Sequence, residues 1–117
     1  MNTNLFMVRG DTFRFTVEIE GLETDLDSAY FSCKKNKDDT TYVFQKSLGD
    51  GITKLSDLDN GKKYEVVVDP EDTNDVNDGN YFYDLQIEVD GEVFTPLLAT
   101  LKIEKDVTRE WYYDKQL

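Results

Sequence analysis

Apolar and polar residues alternate with a period of two along most of this chain, and no stretch sustains the 3.6-residue period of a core-forming helix. Phe13, Phe15, Val17 and Ile19 are apolar, and Arg14, Thr16, Glu18 and Glu20 between them are polar. Successive side chains of a strand point to opposite faces, so such a run has one buried side and one wet side. The same pattern fits Ala29, Phe31 and Cys33, with Tyr30 as an outward exception, and recurs in Tyr64, Val66 and Val68. Its longest stretch is Tyr81, Tyr83, Leu85, Ile87 and Val89, interleaved with polar residues that include Asp84. A run from Tyr42 to Leu48 puts Tyr42 and Phe44 on one face but ends in Lys46. A last run puts Leu97, Ala99, Leu101 and Ile103 on one side, and Leu5 to Arg9 reads as a short opening strand.

Turn residues fall between these runs. Asp90-Gly91, flanked by alternation, predicts a two-residue hairpin between the Tyr81 strand and a strand starting at Glu92. Gly21, Asp50-Gly51, Asn60-Gly61 and Asp78-Gly79 break the other runs. Pro96 has no N–H to donate to a ladder, so it marks an edge position or a bulge. From Asp69 to Val76 the sequence predicts a single helical turn. Asp69 suits the cap, Pro70 the first helical position, and Glu71 and Asp72 the positive end of the dipole.

Short strands with one-sided patterning predict an antiparallel sandwich or small barrel, and we favour the sandwich: all-β, immunoglobulin-like, six to eight strands, with one short helical turn. A length of 117 residues allows one domain, which buries roughly two-thirds of the surface its unfolded chain exposes. We expect the sandwich over residues 1–108 and an aromatic tail over 109–117. An aromatic content of 13% argues against disorder despite a net charge of −12. That charge makes nucleic-acid phosphate and anionic membrane surfaces poor partners. No apolar run approaches the ~20 residues that span a bilayer, and Met1-Asn2-Thr3-Asn4 does not open a signal peptide.

The candidate chemistry is sparse. The chain has no histidine, which excludes Ser/His/Asp machinery and imidazole-ligated metals. Its one cysteine, Cys33, alternates in phase with Ala29 and Phe31 and reads as a small buried hydrophobe. No glycine-rich phosphate loop is present. We therefore expect neither an enzyme nor a cofactor. Arg9-Gly10-Asp11 matches a tripeptide that cell-adhesion receptors read from exposed loops, but glycine and aspartate also suit a bend between strands. The acidic stretch Asp69, Glu71, Asp72, Asn74, Asp75, Asn77 and Asp78 has oxygen ligands for calcium, yet no register satisfies an EF-hand, and a capped turn explains it. Trp111, Tyr112 and Tyr113 are consecutive aromatics, suited to fold back on the sandwich or to dock on another subunit.

The order of these features carries a resemblance. Arg9-Gly10-Asp11-Thr12 leads into an alternating strand, and Phe44-Gln45-Lys46 is followed by Gly51-Ile52. Asp69-Pro70-Glu71-Asp72-Thr73, Gly79, Tyr81-Phe82-Tyr83-Asp84-Leu85-Gln86 and Asp106-Val107-Thr108 come after them. From about Phe6 to Thr108 the chain resembles small tail and baseplate proteins of phages and prophages of Gram-positive bacteria. It is similar to the N-terminal domain of the baseplate upper protein. The resemblance implies a non-catalytic virion structural protein, made in the host cytoplasm, that binds other tail or baseplate proteins and forms homo-oligomers in the particle. Baseplate upper proteins continue into a helical stem and a further domain, and this chain stops nine residues after Thr108. A small adaptor fits better. The candidate partner contacts are Trp111, Tyr112, Tyr113, Phe82 and Tyr30. The alternative is a carbohydrate-binding module for host cell-wall glycans, stacking sugars on Tyr30, Phe82, Trp111 and Tyr112.

Overall fold

A computed structural model describes residues 3–107. Eight strands run in chain order: β1 (Leu5–Val8), β2 (Phe13–Glu20), β3 (Ser28–Lys34), β4 (Phe44–Leu48), β5 (Gly51–Leu58), β6 (Gly61–Val68), β7 (Gly79–Val89) and β8 (Glu92–Glu104). The helical turn α1 (Pro70–Thr73) lies between β6 and β7, where the proline and acidic pattern puts it. Hydrogen bonding links the strands in the order β1-β8-β7-β3-β4-β5-β6-β2. The sheet folds over at β4–β5, where only Ser47 with Gly51 and Leu48 with Ile52 pair. Two layers result, β1-β8-β7-β3-β4 and β5-β6-β2. They meet face to face: the rings of Phe15 in β2 and Phe31 in β3 lie 5.3 Å apart, although three strands separate β2 from β3 in the hydrogen-bonded order.

This is the expected β-sandwich, with one difference. Pairing is mostly antiparallel, but β1 runs parallel to β8 and β4 runs parallel to β5. The reason is connectivity. β1 enters beside the last strand instead of pairing with its sequence neighbour, and the two-residue link after β4 carries the chain into the other layer instead of back along the same one.

The immunoglobulin-like character lies in the corner and the core. Tyr81, near the start of β7, donates its hydroxyl to the carbonyl of Asn77 at 2.5 Å, the tyrosine corner of such sandwiches. Where an antibody domain joins its layers by a disulfide against a tryptophan, this chain has rings. Phe31 contacts Phe15 at 5.3 Å, Tyr83 at 5.4 Å and Phe44 at 5.8 Å. Cys33 is fully buried beside them, and burial pushes its thiol up to about 12. It is a packing residue, as its phase implies. Tyr81→Phe deletes the corner bond and keeps the ring. We expect it to cost about 0.5–1.5 kcal/mol, measured by urea unfolding; no loss would show that the corner hydroxyl contributes nothing net.

The hairpin at Asp90-Gly91 forms as predicted, with φ of 53° and 79° at its two residues. Both values are positive, as a turn matched to the twist of the flanking strands requires. Pro96 sits at a bulge: Leu85 faces Leu97 and Ile87 faces Phe94, so Thr95 and Pro96 together oppose Gln86. One expectation needs correction. Tyr42 does not share the buried face with Phe44, because β4 starts at Phe44 and Tyr42 stands before it, 49% exposed. The stretch Gly51–Leu58 is a strand that alternation does not reveal, since Ile52 is its one buried side chain. The tail 109–117, with Trp111, Tyr112 and Tyr113, lies outside the described residues, as does Thr108.

Candidate functional site: the outer face of the five-stranded layer

The outer faces of the two layers differ in chemistry. On β2 and β6 the outward residues are Arg14, Thr16, Glu18 and Glu20 with Val67, Glu65 and Lys63, a largely charged set, and β5 beside them exposes Leu55 at 48%. On the five-stranded layer the outward residues include Tyr30 (41% exposed), Leu98 (44%) and Phe6 (57%). Exposed apolar side chains grouped on one face of a strongly acidic chain make that face the candidate contact surface.

Strand register assembles that surface. Ser32 on β3 faces Gln45 on β4 and Asp84 on β7, and Asp84 faces Leu98 on β8, giving one row across four strands. Ser47, Tyr30 and Gln86 form the row on one side, and Lys34, Phe82 and Thr100 the row on the other. Together with Tyr42 and Lys37, all of these residues except Ser47 and Thr100 line a shallow concavity of about 550 Å³. Its floor is polar, with Gln45 Nε2 donating to Ser32 Oγ at 2.9 Å. Its walls are aromatic, and lysines cover one face of two of the rings. Lys34 Nζ stands 5.1 Å from the centre of Tyr42 and Lys37 Nζ stands 5.2 Å from that of Phe82. Such contacts hold long cationic side chains against apolar surface.

Asp84 occupies the middle of this floor. Burial pushes its carboxyl above the usual range, and the Lys34 charge pulls it back only in part. A carboxyl with a raised native value is most favourable to folding when protonated. Its contribution is complete below the unfolded-state value and is lost as pH rises through the native one. At neutral pH the charged Asp84 therefore costs stability. Asp84→Asn is expected to raise the unfolding midpoint at pH 7 and to leave it unchanged near pH 3; a lowered midpoint at pH 7 would contradict this balance.

Of the five residues expected to make partner contacts, the described region brings together Tyr30 and Phe82, which line the same concavity. Phe82 is half-buried, not fully outward-facing. Trp111, Tyr112 and Tyr113 fall outside the described residues. The sequence gives no reason to join Leu98 and Tyr42 to this group, because their meeting depends on strand order.

Two other candidates take structural places. Arg9 of the Arg-Gly-Asp tripeptide turns inward to Asp106 at 3.6 Å, and the Gly10 N–H donates to Thr73 Oγ1 at 2.8 Å. The tripeptide is therefore a strut between β1, α1 and the end of β8, the bend that glycine and aspartate suit in the sequence. In the acidic turn, Asp69 and Asp72 face Lys46 at 3.4 and 3.0 Å. Among the described residues no three acidic or cysteine side chains gather as a metal site would need.

No protein-family model matches the chain, and no curated protein matches it. Solved structures similar to it include the extracellular domains of the voltage-gated sodium channel β4 subunit, at 12% identity over 91% of this chain and 93% of that one, with a TM-score of 0.39. Murine CRIg is similar at 6% identity over 89% of this chain and 92% of that one, with a TM-score of 0.40. The immunoglobulin-like assignment rests on the strand order, the tyrosine corner and the ring cluster of this chain itself.

Proposed function

We propose that this chain is a non-catalytic structural adaptor of a phage or prophage tail, held among other tail or baseplate proteins through the outer face of β8-β7-β3-β4. The observation that carries the binding role is the concavity around Asp84, ringed by Tyr30, Tyr42, Phe82 and Leu98 on an otherwise acid-coated chain. Aromatic walls over a polar floor give area and orientation to a protein contact. The resemblance from Phe6 to Thr108 supports the tail as its setting, with synthesis in the bacterial host cytoplasm and residence in the virion. The test is mass spectrometry of tail particles purified from the strain that carries the gene. Peptides of this chain at a fixed ratio to tail proteins are expected. Abundance in the lysate with none in the particle would overturn the adaptor role.

One observation favours a second reading. Tyr30, an exposed aromatic of the concavity, lies among Ser32, Asp84 and Gln86, a setting that suits a sugar ring. On that reading the chain is a module for host cell-wall glycans. Titration with cell-wall polysaccharide separates the two: saturable binding lost in Tyr30→Ala favours the module, and no response at millimolar sugar favours the adaptor.

A further inference from the structure

Strand β2 ends the sheet, and among the described residues no strand pairs with its free edge. It is eight residues long, and its register with β6 runs without a shift from Phe13 opposite Val68 to Glu20 opposite Gly61. No proline, glycine or bulge interrupts it. Edge strands of stable monomers are normally blunted by such devices. The other end of the sheet, β1, is only four residues long.

The burial of β2 points the same way. Its inner residues Phe13, Phe15, Val17 and Ile19 are all half-buried. Their neighbours Tyr64, Val66 and Val68 on β6 are 2%, 0% and 0% exposed. The apolar row on β2 is thus open on the edge side, and a strand added there would close it.

We infer that the added strand is β2 of a second copy of this chain, paired antiparallel about a two-fold axis. Directly opposed residues of an antiparallel pair share a face, so only registers centred on a residue keep the apolar row inside. Pairing centred on Val17 places Arg14 opposite Glu20, Phe15 opposite Ile19 and Thr16 opposite Glu18. Pairing centred on Thr16 places Arg14 opposite Glu18, Phe13 opposite Ile19 and Phe15 opposite Val17. In either register the two-fold axis makes the arginine–glutamate pair twice and brings the half-buried residues together. Arg14 is free to turn toward a partner, since its side chain is 60% exposed and its contact to Glu65 is 3.7 Å long. The net charge of −12 on each copy opposes association at long range. At physiological ionic strength that repulsion is screened beyond about 8 Å, leaving contact pairs to decide.

This surface is separate from the concavity, so its test is independent of the adaptor reading. Sedimentation velocity of the full chain at physiological salt, from micromolar to millimolar protein, should show a concentration-dependent dimer. Arg14→Glu should weaken it at least about tenfold by setting like charges opposite one another twice. Adding Glu20→Arg to that variant restores the dimer if Val17 is the centre, and adding Glu18→Arg restores it if Thr16 is. Thermal melting of each variant that equals the wild type's, at a concentration where the wild type is monomeric, shows that the fold is intact. Hydrogen exchange at β2 should slow as wild-type concentration rises. A monomer throughout, a dimer indifferent to Arg14→Glu, or a loss that neither second change rescues would overturn the proposal. So would a monomer whose β2 amides are already protected, because another segment of the same chain would then hold the edge.

Discussion

Phe31→Ala is expected to destabilise the fold by about 3–5 kcal/mol, the cost of emptying a large buried aromatic site. Phe31 is 0% exposed, and its ring touches Phe15 from the opposite layer and Phe44 and Tyr83 from its own. No disulfide joins the layers, since the chain has one cysteine. The ring cluster occupies the place a disulfide would take and must hold β2 against β3 by packing alone. Because Phe15 is only half-buried, water reaches the edge of the cavity that alanine leaves, which favours the lower half of the range. Urea unfolding followed by circular dichroism measures the loss. A cost below about 1 kcal/mol would mean that the rings do not couple the layers.

Where burial follows alternation, the fold is legible in the sequence. β3, β6 and β7 each bury one side of the strand, and their apolar residues mark it directly. β5 is not legible. After Ile52 its side chains stay exposed or partly so, and it is a strand because β6 pairs with it, not because it has a face to bury. Lys46 breaks the pattern of β4 for a different reason: it does point inward, at 6% exposed, and its charge is matched by two carboxylates far along the chain. The concavity is legible only in part. Tyr30 stands out as an aromatic on the wrong phase, but its union with Phe82, Asp84 and Leu98 depends on β3, β7 and β8 lying side by side, and local pattern does not encode strand order.

Asp72→Ala is expected to cost about 2–3 kcal/mol, less than the loss of a fully buried ion pair because Asp69 stays beside Lys46. Asp72 has two tasks. Its carboxylate accepts from Lys46 Nζ at 3.0 Å and from the Asp69 N–H at 2.8 Å, so it anchors β4 and closes the first turn of α1 together. Burial alone would lower the Lys46 value. The hydrogen bonds and charges of Asp72 and Asp69 outweigh it and hold the ammonium above its ordinary range. The contribution of a raised amine is complete below its unfolded-state value and is lost as pH rises through the native one. The ammonium therefore keeps its contribution at neutral pH and loses it in strong alkali. The gap between Asp72→Ala and wild type should be wide at pH 7 and narrow in that alkaline window. A gap that stays constant there would assign the loss to the turn and not to the ion pair.

The proposal that the five-stranded layer is the docking surface is tested most directly by site-specific photo-crosslinking inside assembled tail particles. A photoreactive side chain in place of Leu98 stands on that surface, and one in place of Thr53 stands on the outer side of β5 in the other layer. The expected result is a crosslink from position 98 to a neighbouring tail protein and none to such a protein from position 53. Crosslinks to tail proteins from position 53 with none from position 98 would place the partner on the other layer and contradict the assignment.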